Sequence, residues 1–481
     1  MLDKILDIAG LADGLLWGPW TMVFIAGVAV FLTLKSRFFQ FRRFRFIAKQ
    51  TAGTLLTRTE IREKGAMTPF QATSTALAST VGMGNIAGVA TALSIGGPGA
   101  IFWMWLLALL GMMTKTAEIT LAVHYRSRDR EGNLSGGPMH YIRKGLGWKF
   151  LAKLFSAGIL VNAVLSASLL QAHTVGRAFL SSYGVSPYLV TAGMAAVTAA
   201  VIVGGIKRIG RFCERLVPAM SLLYIAGGII LFLVNFDKIP EVFSSIFRYA
   251  FAPAPAAGGF AGAAVAATLK MGMARGMLSN EAGLGTAPMA HATADTSHPF
   301  RQGMWGAFEV FFDTVIICTI SSFAVLSTGV LSGGESGIEL VISAFSSVFP
   351  AGWSGFLIST AILTFCLSTQ IGFFIYYRTA VVDLFGERVL PALKWIYLFP
   401  GIIFAGVADV DKLWVFANIS VGVCSLPNLV SIAALNGVFF ILMRDYISGD
   451  NRYACGKNEG PLNPGNNIRK KKGGNHDKFF I

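Results

Sequence analysis

The sequence predicts an all-α protein that crosses a membrane many times. Hydrophobic residues make up 54% of its 481 residues and charged residues only 14%, whereas soluble proteins carry about 25% charged residues. The apolar residues also form eleven segments of roughly the length that a helix needs to span a bilayer, about 20 residues. The last segment contains Pro427 and is either one kinked span or two. The predicted spans are 15–34, 67–95, 99–123, 151–176, 187–206, 214–235, 257–278, 302–330, 353–377, 391–408 and 412–443.

The basic residues indicate how these spans are oriented. With the N-terminus outside and the C-terminus in the cytoplasm, 35 of the 40 Lys and Arg residues fall in cytoplasmic loops and the tail. This bias is the one that the positive-inside rule describes, and a twelfth span would place the basic tail outside. The formal charge of +15 therefore reflects orientation in the membrane, and we expect no nucleic-acid partner.

The order of the spans predicts an inverted repeat. Segments 67–95 and 257–278 are both rich in glycine and lie five spans apart, so they must cross the membrane in opposite directions. Paired glycine-interrupted helices are typical of the binding site between the inverted repeats of transporters. We therefore divide the chain into a peripheral N-terminal helix with a basic amphipathic segment, two five-helix repeats and a disordered basic tail. The boundaries are 1–66, 67–236, 237–446 and 447–481.

The residues between the first two spans, 35–64, mix aromatic side chains with Arg and Lys. Two interpretations fit this composition. The segment is either an amphipathic helix that lies on the anionic cytoplasmic face of the membrane, or a basic loop that only enforces the orientation of the spans.

The most unusual stretch is Ser74–Trp105. Gly82, Gly84 and Gly88 weaken the helix in the middle of a span, and Asn85 brings polar atoms to membrane depth. In hydrocarbon, a broken helix is tolerated only where its freed backbone groups face protein or a water-filled cavity. The alternative is that Gly84 and Gly88 only allow close helix packing. We predict a discontinuous helix whose break binds a small polar ligand through Gly82, Met83, Gly84 and Asn85.

Several motifs resemble those of the alanine/glycine:cation symporter family, and the similarity covers nearly all of residues 66–446. The resemblance implies a leucine-transporter-like fold of five plus five helices with one extra N-terminal helix. It also implies import of a small neutral amino acid and coupling to sodium, with no other cofactor. The motifs are VGMGNIAGVATA at 81–92, GGPGAIFWMWLLALLG at 96–111, GGPMHYI at 136–142, ARGMLSNEAGLGTAPMA at 274–290 and SLPNLVSIAAL at 425–435.

The resemblance also implies where sodium binds. The helices are counted here from the broken span at 67–95 as helix 1. In leucine-transporter-like folds, two adjacent hydroxyls on helix 8 face helix 1 and complete a sodium site. Here these are Ser368 and Thr369, with carbonyls near Thr80 and Val81. Such oxygens suit hard cations. The N–H groups at the start of the second half-helix would then bind the substrate carboxylate, because a helix N-terminus carries positive dipole charge.

Two positions depart from the family pattern. Leu165 stands where the family commonly has Gln, and Phe373 stands where it usually has Trp. We assign both, together with Thr369, to the substrate pocket. Losing a hydrogen-bonding group changes discrimination between substrates more than losing a methylene does. The predicted substrate is therefore alanine, glycine or a close relative, or a different amino acid such as glutamine or serine.

Ionisable residues inside membrane spans are candidates for function. Glu309 and Asp313 lie four residues apart on one helix. We expect them to act at a gate or to form ion pairs with Lys270 or Arg275. The alternative is that they relay protons, which would make the carrier proton-coupled.

Further features bear on class and partners. Lys115 and Glu118 lie three apart on one helix and are expected to pair with each other. The sequence shows no nucleophile with a base, no metalloprotease motif and no phosphate loop, so we do not expect an enzyme. A membrane receptor for an amino acid is a remote alternative. We expect a monomer in a prokaryotic cell membrane, with sodium as the bound metal ion and an amino acid and lipid as the other partners.

Overall fold

The structure, a computed structural model, describes residues 2–54, 65–129, 132–254, 264–406 and 411–455. It is almost entirely helical, with a small antiparallel hairpin of β1 (Ser127–Arg128) and β2 (Leu134–Ser135). Segments of π-helix occur at Gly84–Gly88, Ala163–Leu170 and Phe311–Cys318. The α-helices are α1 (Leu2–Leu16), α2 (Pro19–Lys35), α3 (Phe39–Arg42), α4 (Phe44–Gln50), α5 (Pro69–Thr80), α6 (Val89–Gly96), α7 (Ala100–His124), α8 (Pro138–Leu146), α9 (Lys149–Asn162), α10 (Gln171–Tyr183), α11 (Pro187–Ile202), α12 (Gly205–Val234), α13 (Ile239–Tyr249), α14 (Val265–Asn280), α15 (Ala287–His291), α16 (Pro299–Val310), α17 (Thr319–Thr328), α18 (Gly337–Ser346), α19 (Ala351–Phe385), α20 (Leu390–Ile403), α21 (Asp411–Ala434) and α22 (Asn436–Ser448).

Seven helices among the described residues are long and apolar enough to span a membrane, and a bent pair formed by α5 and the segment after it makes eight. The predicted spans at 187–206 and 391–408 appear as the shorter helices α11, with 16 residues, and α20, with 14. The count of eleven spans and their orientation therefore stay predictions. The seven helices are Ile8–Lys35, Ala100–His124, Lys149–Tyr183, Gly205–Val234, Pro299–Thr328, Gly352–Phe385 and Trp414–Ala434.

The last predicted span, 412–443, is two helices rather than one. Helix α21 ends at Ala434 and α22 begins at Asn436, whereas Pro427 lies inside α21 without ending it. A proline removes one hydrogen bond of the helix but does not always break it when neighbouring helices pack around the kink.

The second glycine-rich segment, predicted at 257–278, is not interrupted where the structure describes it. Residues 255–263 lie outside the described residues, and α14 then continues unbroken to Asn280. Its glycines serve packing instead, because a Cβ atom at Gly272 would lie 2.3 Å from the carbonyl oxygen of Ala100 on α7. Small residues at such contacts let two helices approach closely.

Helix α7 lies at the centre of the protein. Its residues from Gly111 to Val123 are all buried, and it packs along both α14 and α16. The first half of the broken span, α5, begins with a capping box in which Thr68 and Gln71 satisfy each other's backbone N–H groups. Pro69, in the first turn, supports the same start because its fixed φ suits a helix. These contacts fix where α5 begins and therefore where its end meets the core.

Candidate binding site at the helix break

The break in the second predicted span lies at Val81 and Gly82. Helix α5 ends at Thr80, Val81 has extended backbone angles (φ −77°, ψ 95°), and helical structure resumes at Met83. The two halves of the span are bent by 50° relative to each other. The interruption predicted from the glycines is therefore present, and the backbone groups around it lie outside a regular helix.

Side chains accept the N–H groups that the break leaves free. The N–H of Gly82 donates to Oδ1 of Asn85 at 2.9 Å, and the N–H of Met83 donates to Oε1 of Gln171 at 3.2 Å. The N–H of Asn85 also donates to the carbonyl oxygen of Gly82 at 3.3 Å. Two neutral side-chain oxygens thus occupy the N-terminus of the second half-helix, a position that favours negative charge.

Gln171 is a site residue that the sequence prediction missed. It is the first residue of α10 and follows the π-helical segment Ala163–Leu170 directly. A π segment adds a residue to the helical turn and so changes the direction of the side chains after it. Leu165, which the prediction placed in the pocket, is half-buried inside this segment. The only signal in the sequence was a lone amide side chain six residues beyond Leu165.

Gly82 is required by the close approach of its neighbours. A Cβ atom at this position would lie 2.5 Å from Oγ1 of Thr369 and 3.2 Å from Oε1 of Gln171. By contrast, a Cβ at Gly84 would make an ordinary contact, 3.6 Å from the Cα of Ser279. Of these two glycines in the predicted site, Gly82 is therefore the one for which the absence of a side chain is essential.

Five oxygen atoms from α5, Val81 and α19 meet beside the break. Oγ of Ser368 lies 3.2 Å from the carbonyl oxygen of Ala78 and 2.8 Å from that of Phe365. Oγ1 of Thr369 lies 3.4 Å from the carbonyl oxygen of Val81 and 3.0 Å from that of Phe365. Both hydroxyl side chains are buried. Two hydroxyls and three carbonyls at this spacing form a donor set of the kind that hard cations prefer.

Two other predicted residues lie near this oxygen cluster without joining it through their side chains. The hydroxyl of Thr80 donates to the carbonyl oxygens of Ala76 and Leu77 in its own helix, which is common for Thr in an apolar helix. Phe373 is buried one turn beyond Thr369. Its ring packs edge-on against Tyr376, with 4.8 Å between the ring centroids.

Asp313 connects the second half of the broken helix to two other helices. Its carboxylate accepts hydrogen bonds from Asn85 at 2.7 Å, from Ser279 at 2.7 Å and from Thr314 at 3.0 Å. Ser279, in the last turn of α14, also accepts a hydrogen bond from Asn85 at 3.0 Å. The Asp313 side chain is 1% exposed, so these hydrogen bonds offset the loss of its hydration.

Glu309 belongs to a separate buried cluster. Its Oε1 lies 2.6 Å from Nε2 of His291, and its Oε2 lies 3.9 Å from Nζ of Lys115. Lys115 also donates to the carbonyl oxygen of Asn280 at 2.7 Å. Asn280 is the last residue of α14, where a positive charge is favoured by the helix dipole.

The ion pairs expected for Lys270 and Arg275 do not form. Lys270 is exposed on α14, and the guanidinium of Arg275 lies 5.0 Å from the ring centroid of Trp414. Neither contacts Glu309 or Asp313. The physical reason is that α7 supplies the cation for Glu309 from inside the core, while Lys270 is exposed and Arg275 packs on Trp414 of α21.

The expected pair of Lys115 with Glu118 does not form either. The ammonium of Lys115 is directed to Asn280 and Glu309, and Glu118 instead accepts a hydrogen bond from Nδ2 of Asn428 at 2.8 Å. A spacing of three residues allows a pair on an isolated helix, but contacts between helices decide the outcome in a packed core.

Comparison with known proteins identifies the family of this chain. A model of the sodium:alanine symporter family matches residues 2–457. The chain belongs to the sodium:alanine symporter family. It is therefore a multi-pass protein of the prokaryotic cell membrane from a family of transporters, as predicted.

Relatives of this symporter family align over nearly the whole chain. An uncharacterised transporter of Bacillus subtilis, YflA, is 37% identical over 441 residues, which cover 91% of this chain and 93% of the relative. The probable sodium/glutamine symporter GlnT of Bacillus subtilis is 36% identical, covering 92% and 91%. The sodium/alanine symporter AgcS of Methanococcus maripaludis is 34% identical, covering 90% and 95%.

A solved structure shows the same fold at low sequence identity. MhsT, crystallised in complex with L-phenylalanine, is similar with a TM-score of 0.57 and 16% identity, over 78% of this chain and 90% of MhsT. This neighbour supports the predicted leucine-transporter-like architecture for an all-helical polytopic transporter.

Proposed function

We propose that this protein imports a small neutral amino acid by symport with sodium through alternating access. The observation that carries the proposal is the oxygen cluster of Ser368 and Thr369 with three backbone carbonyls beside the broken helix. It lies next to N–H groups that suit a carboxylate. The proposed cation site and the proposed amino-acid site would thus share one short segment, so that binding at one would affect binding at the other.

The substrate carboxylate is proposed to bind at the start of the second half-helix. Oε1 of Gln171 accepts the N–H of Met83 at 3.2 Å, so an oxygen acceptor fits there. A carboxylate oxygen is a stronger acceptor than an amide oxygen. It would replace Gln171 on the N–H, and the amide of Gln171, which carries two N–H donors, would then turn to donate to the carboxylate.

Sodium is proposed to bind among the carbonyl oxygens of Ala78, Val81 and Phe365 and the hydroxyls of Ser368 and Thr369. In the structure the hydroxyl protons satisfy these carbonyls. A cation would take over that role, and the hydroxyls would rotate to offer their lone pairs to it. Binding the ion would tie the end of α5 to α19 and so fix the break in the shape that the substrate needs.

Two pocket positions bear on which amino acid is carried. Leu165 and Phe373 are apolar and carry no charge that could pair with a charged group, so we expect an amino acid with an uncharged side chain. Relatives of similar identity include a sodium/alanine symporter and a probable sodium/glutamine symporter. Alanine, glycine, serine and glutamine are therefore the first substrates to test. Gln171 supplies an amide from a different position on the same stretch of chain.

Proton coupling through Asp313 and Glu309 is the second candidate, and one observation favours it. Asp313 is buried, and its carboxylate accepts hydrogen bonds from Asn85 and Ser279. Among the described residues it forms no ion pair with a basic side chain. A carboxyl group in that setting is able to exchange a proton when its surroundings change. Glu309 differs because Lys115 and His291 lie beside it.

Uptake by proteoliposomes separates the two candidates. Purified protein would be given radiolabelled alanine, glycine, serine or glutamine under an inward sodium gradient at equal pH on both sides, and then under a proton gradient without sodium. The proposal predicts accumulation only with the sodium gradient. Accumulation that follows the proton gradient and ignores sodium would favour the second candidate. Tight binding of an amino acid without any flux would favour a receptor.

A further inference from the structure

The segment after the first long helix forms a compact basic surface, which we name the basic elbow and define as residues 36–50. Helix α2 ends at Lys35, and the next residues turn sharply because Arg37 and Phe38 both have left-handed backbone angles (φ 54° and 57°). The N–H of Phe38 donates to the carbonyl oxygen of Thr33 at 2.9 Å. The short helices α3 and α4 therefore start directly where the membrane-length helix stops.

One face of the basic elbow is fixed to the protein core. Phe39 and Ile47 are buried. The ring of Phe39 lies 5.6 Å from that of Phe300, and the ring of Phe44 lies 4.9 Å from that of Phe311. Phe300 is in α16, and Phe311 begins the π-helical segment that contains Asp313. The elbow is thus a packed part of the fold and rests on the helix that reaches the candidate site.

The other face carries the positive charge. Arg42, Arg43, Arg45 and Lys49 are exposed, and none of them forms an ion pair within the part of the chain that the structure describes. Residues 36–54 include no acidic residue. The same short segment exposes two aromatic rings, since Phe38 and Phe41 are 45% and 46% exposed with centroids 6.4 Å apart.

We propose that the basic elbow binds the phosphate headgroups of anionic phospholipids. Exposed aromatic rings beside unpaired cations suit the boundary between acyl chains and headgroups. The end of α2 holds this surface at that boundary, and clusters of four or more cations next to a membrane helix attract anionic lipids. A cytosolic acidic protein would meet the same charges, but it would leave the two phenylalanine rings in water.

Headgroup binding would also reach the transport cycle. The elbow contacts α16 and the adjoining π-helical segment through Phe39 and Phe44. Lipid bound to the elbow would therefore stabilise one position of the helix that carries Asp313. This consequence rests on the proposed transport function, whereas the binding of lipid does not.

Lipid binding to the purified full-length protein tests the proposal. In mixed micelles, fluorescent phosphatidylglycerol should associate with the protein more tightly than fluorescent phosphatidylcholine. Replacing Arg42, Arg43, Arg45 and Lys49 by Gln should remove that preference. Each lost cation should lower the affinity for phosphatidylglycerol about fivefold. Replacing Lys207, Arg208 and Arg211 by Gln, three exposed cations in the first turns of α12, is the matched control and should keep the preference.

Three results would overturn the proposal. The first is equal binding of the two lipids by the unchanged protein, and the second is an unchanged preference in the elbow variant. The third is displacement of phosphatidylglycerol by inorganic phosphate at equal concentration, which would indicate a site for free anions. If the four-residue variant is misfolded by its melting profile, R43Q and R45Q are measured singly and should each weaken phosphatidylglycerol binding. Amino-acid uptake is measured separately, so that loss of lipid binding is distinguished from failure of the transport function.

Discussion

The hydroxyl oxygen of Thr369 lies 3.4 Å from the carbonyl oxygen of Val81, and this contact joins the unbroken helix α19 to the helix that breaks. The next residue, Gly82, starts the N–H groups proposed for the substrate carboxylate. A cation on one side of Gly82 and a carboxylate on the other would attract each other across one residue. Occupancy of either site should therefore favour occupancy of the other.

Replacing Thr369 by Val should weaken the dependence on sodium. Valine keeps the shape of threonine but removes the hydroxyl from the oxygen cluster, so the sodium concentration for half-maximal uptake should rise about tenfold. Thr364→Val is the matched control, because Oγ1 of Thr364 donates to the carbonyl oxygen of Thr360 at 2.8 Å within its own helix. The assignment fails if both variants leave the sodium dependence unchanged.

Replacing Gly82 by Ala should abolish uptake while the protein still folds. The added Cβ would lie 2.5 Å from Oγ1 of Thr369, so the oxygen cluster and the break must move apart. At Gly88 the same change meets only the carbonyl oxygen of Met83 at 3.9 Å, and uptake should stay within a few-fold of normal. Radiolabelled uptake by both variants, normalised to the amount of folded protein, checks this. Equal uptake by the two would contradict the geometry of the site.

Replacing Gln171 by Leu should raise the substrate KM more than the half-saturating sodium concentration. The change removes the amide proposed to donate to the carboxylate, which should lower the affinity for the substrate about tenfold. It leaves the five oxygens of the sodium cluster in place. Initial rates measured against substrate at saturating sodium, and against sodium at saturating substrate, separate the two effects. A variant in which only the sodium dependence changes would place Gln171 in a different role.

Replacing Lys115 by Met should destabilise the fold by about 3–5 kcal/mol, because Glu309 would be left as a buried charge without a nearby Lys or Arg. Lys270→Met is the control and should change stability by less than about 0.5 kcal/mol, since Lys270 is exposed. Thermal unfolding in detergent monitors both. The double variant K115M/E309Q should recover part of the loss, and no recovery would show that the pair is not coupled.

The position of the break could be predicted from the sequence because its signals are local. Glycines at 82 and 84 and an asparagine at 85 weaken a helix wherever it packs, and the structure breaks the helix at Val81 and Gly82. The hydroxyl pair Ser368 and Thr369 was predicted from the family resemblance rather than from the residues alone, and the structure brings both hydroxyls against carbonyls at the end of the first half-helix.

Other parts of the site depend on contacts that a single sequence does not show. The carbonyl oxygen of Ala78 joins the cluster, yet any residue type carries the same backbone group. Gln171 reaches Met83 only because a π-helical segment precedes it. Lys115 meets Asn280 and Glu309 rather than Glu118 because three helices pack together at that point. Packing thus decides the partners, whereas composition only indicates which residues need one.

The most direct test of the central claim is the linkage between sodium and amino-acid binding by the purified protein. The affinity for a radiolabelled neutral amino acid would be measured by equilibrium binding at a series of sodium concentrations, with potassium replacing sodium at constant ionic strength. The account predicts that sodium tightens amino-acid binding and that Thr369→Val removes most of this effect. Amino-acid binding of equal affinity with and without sodium would contradict it.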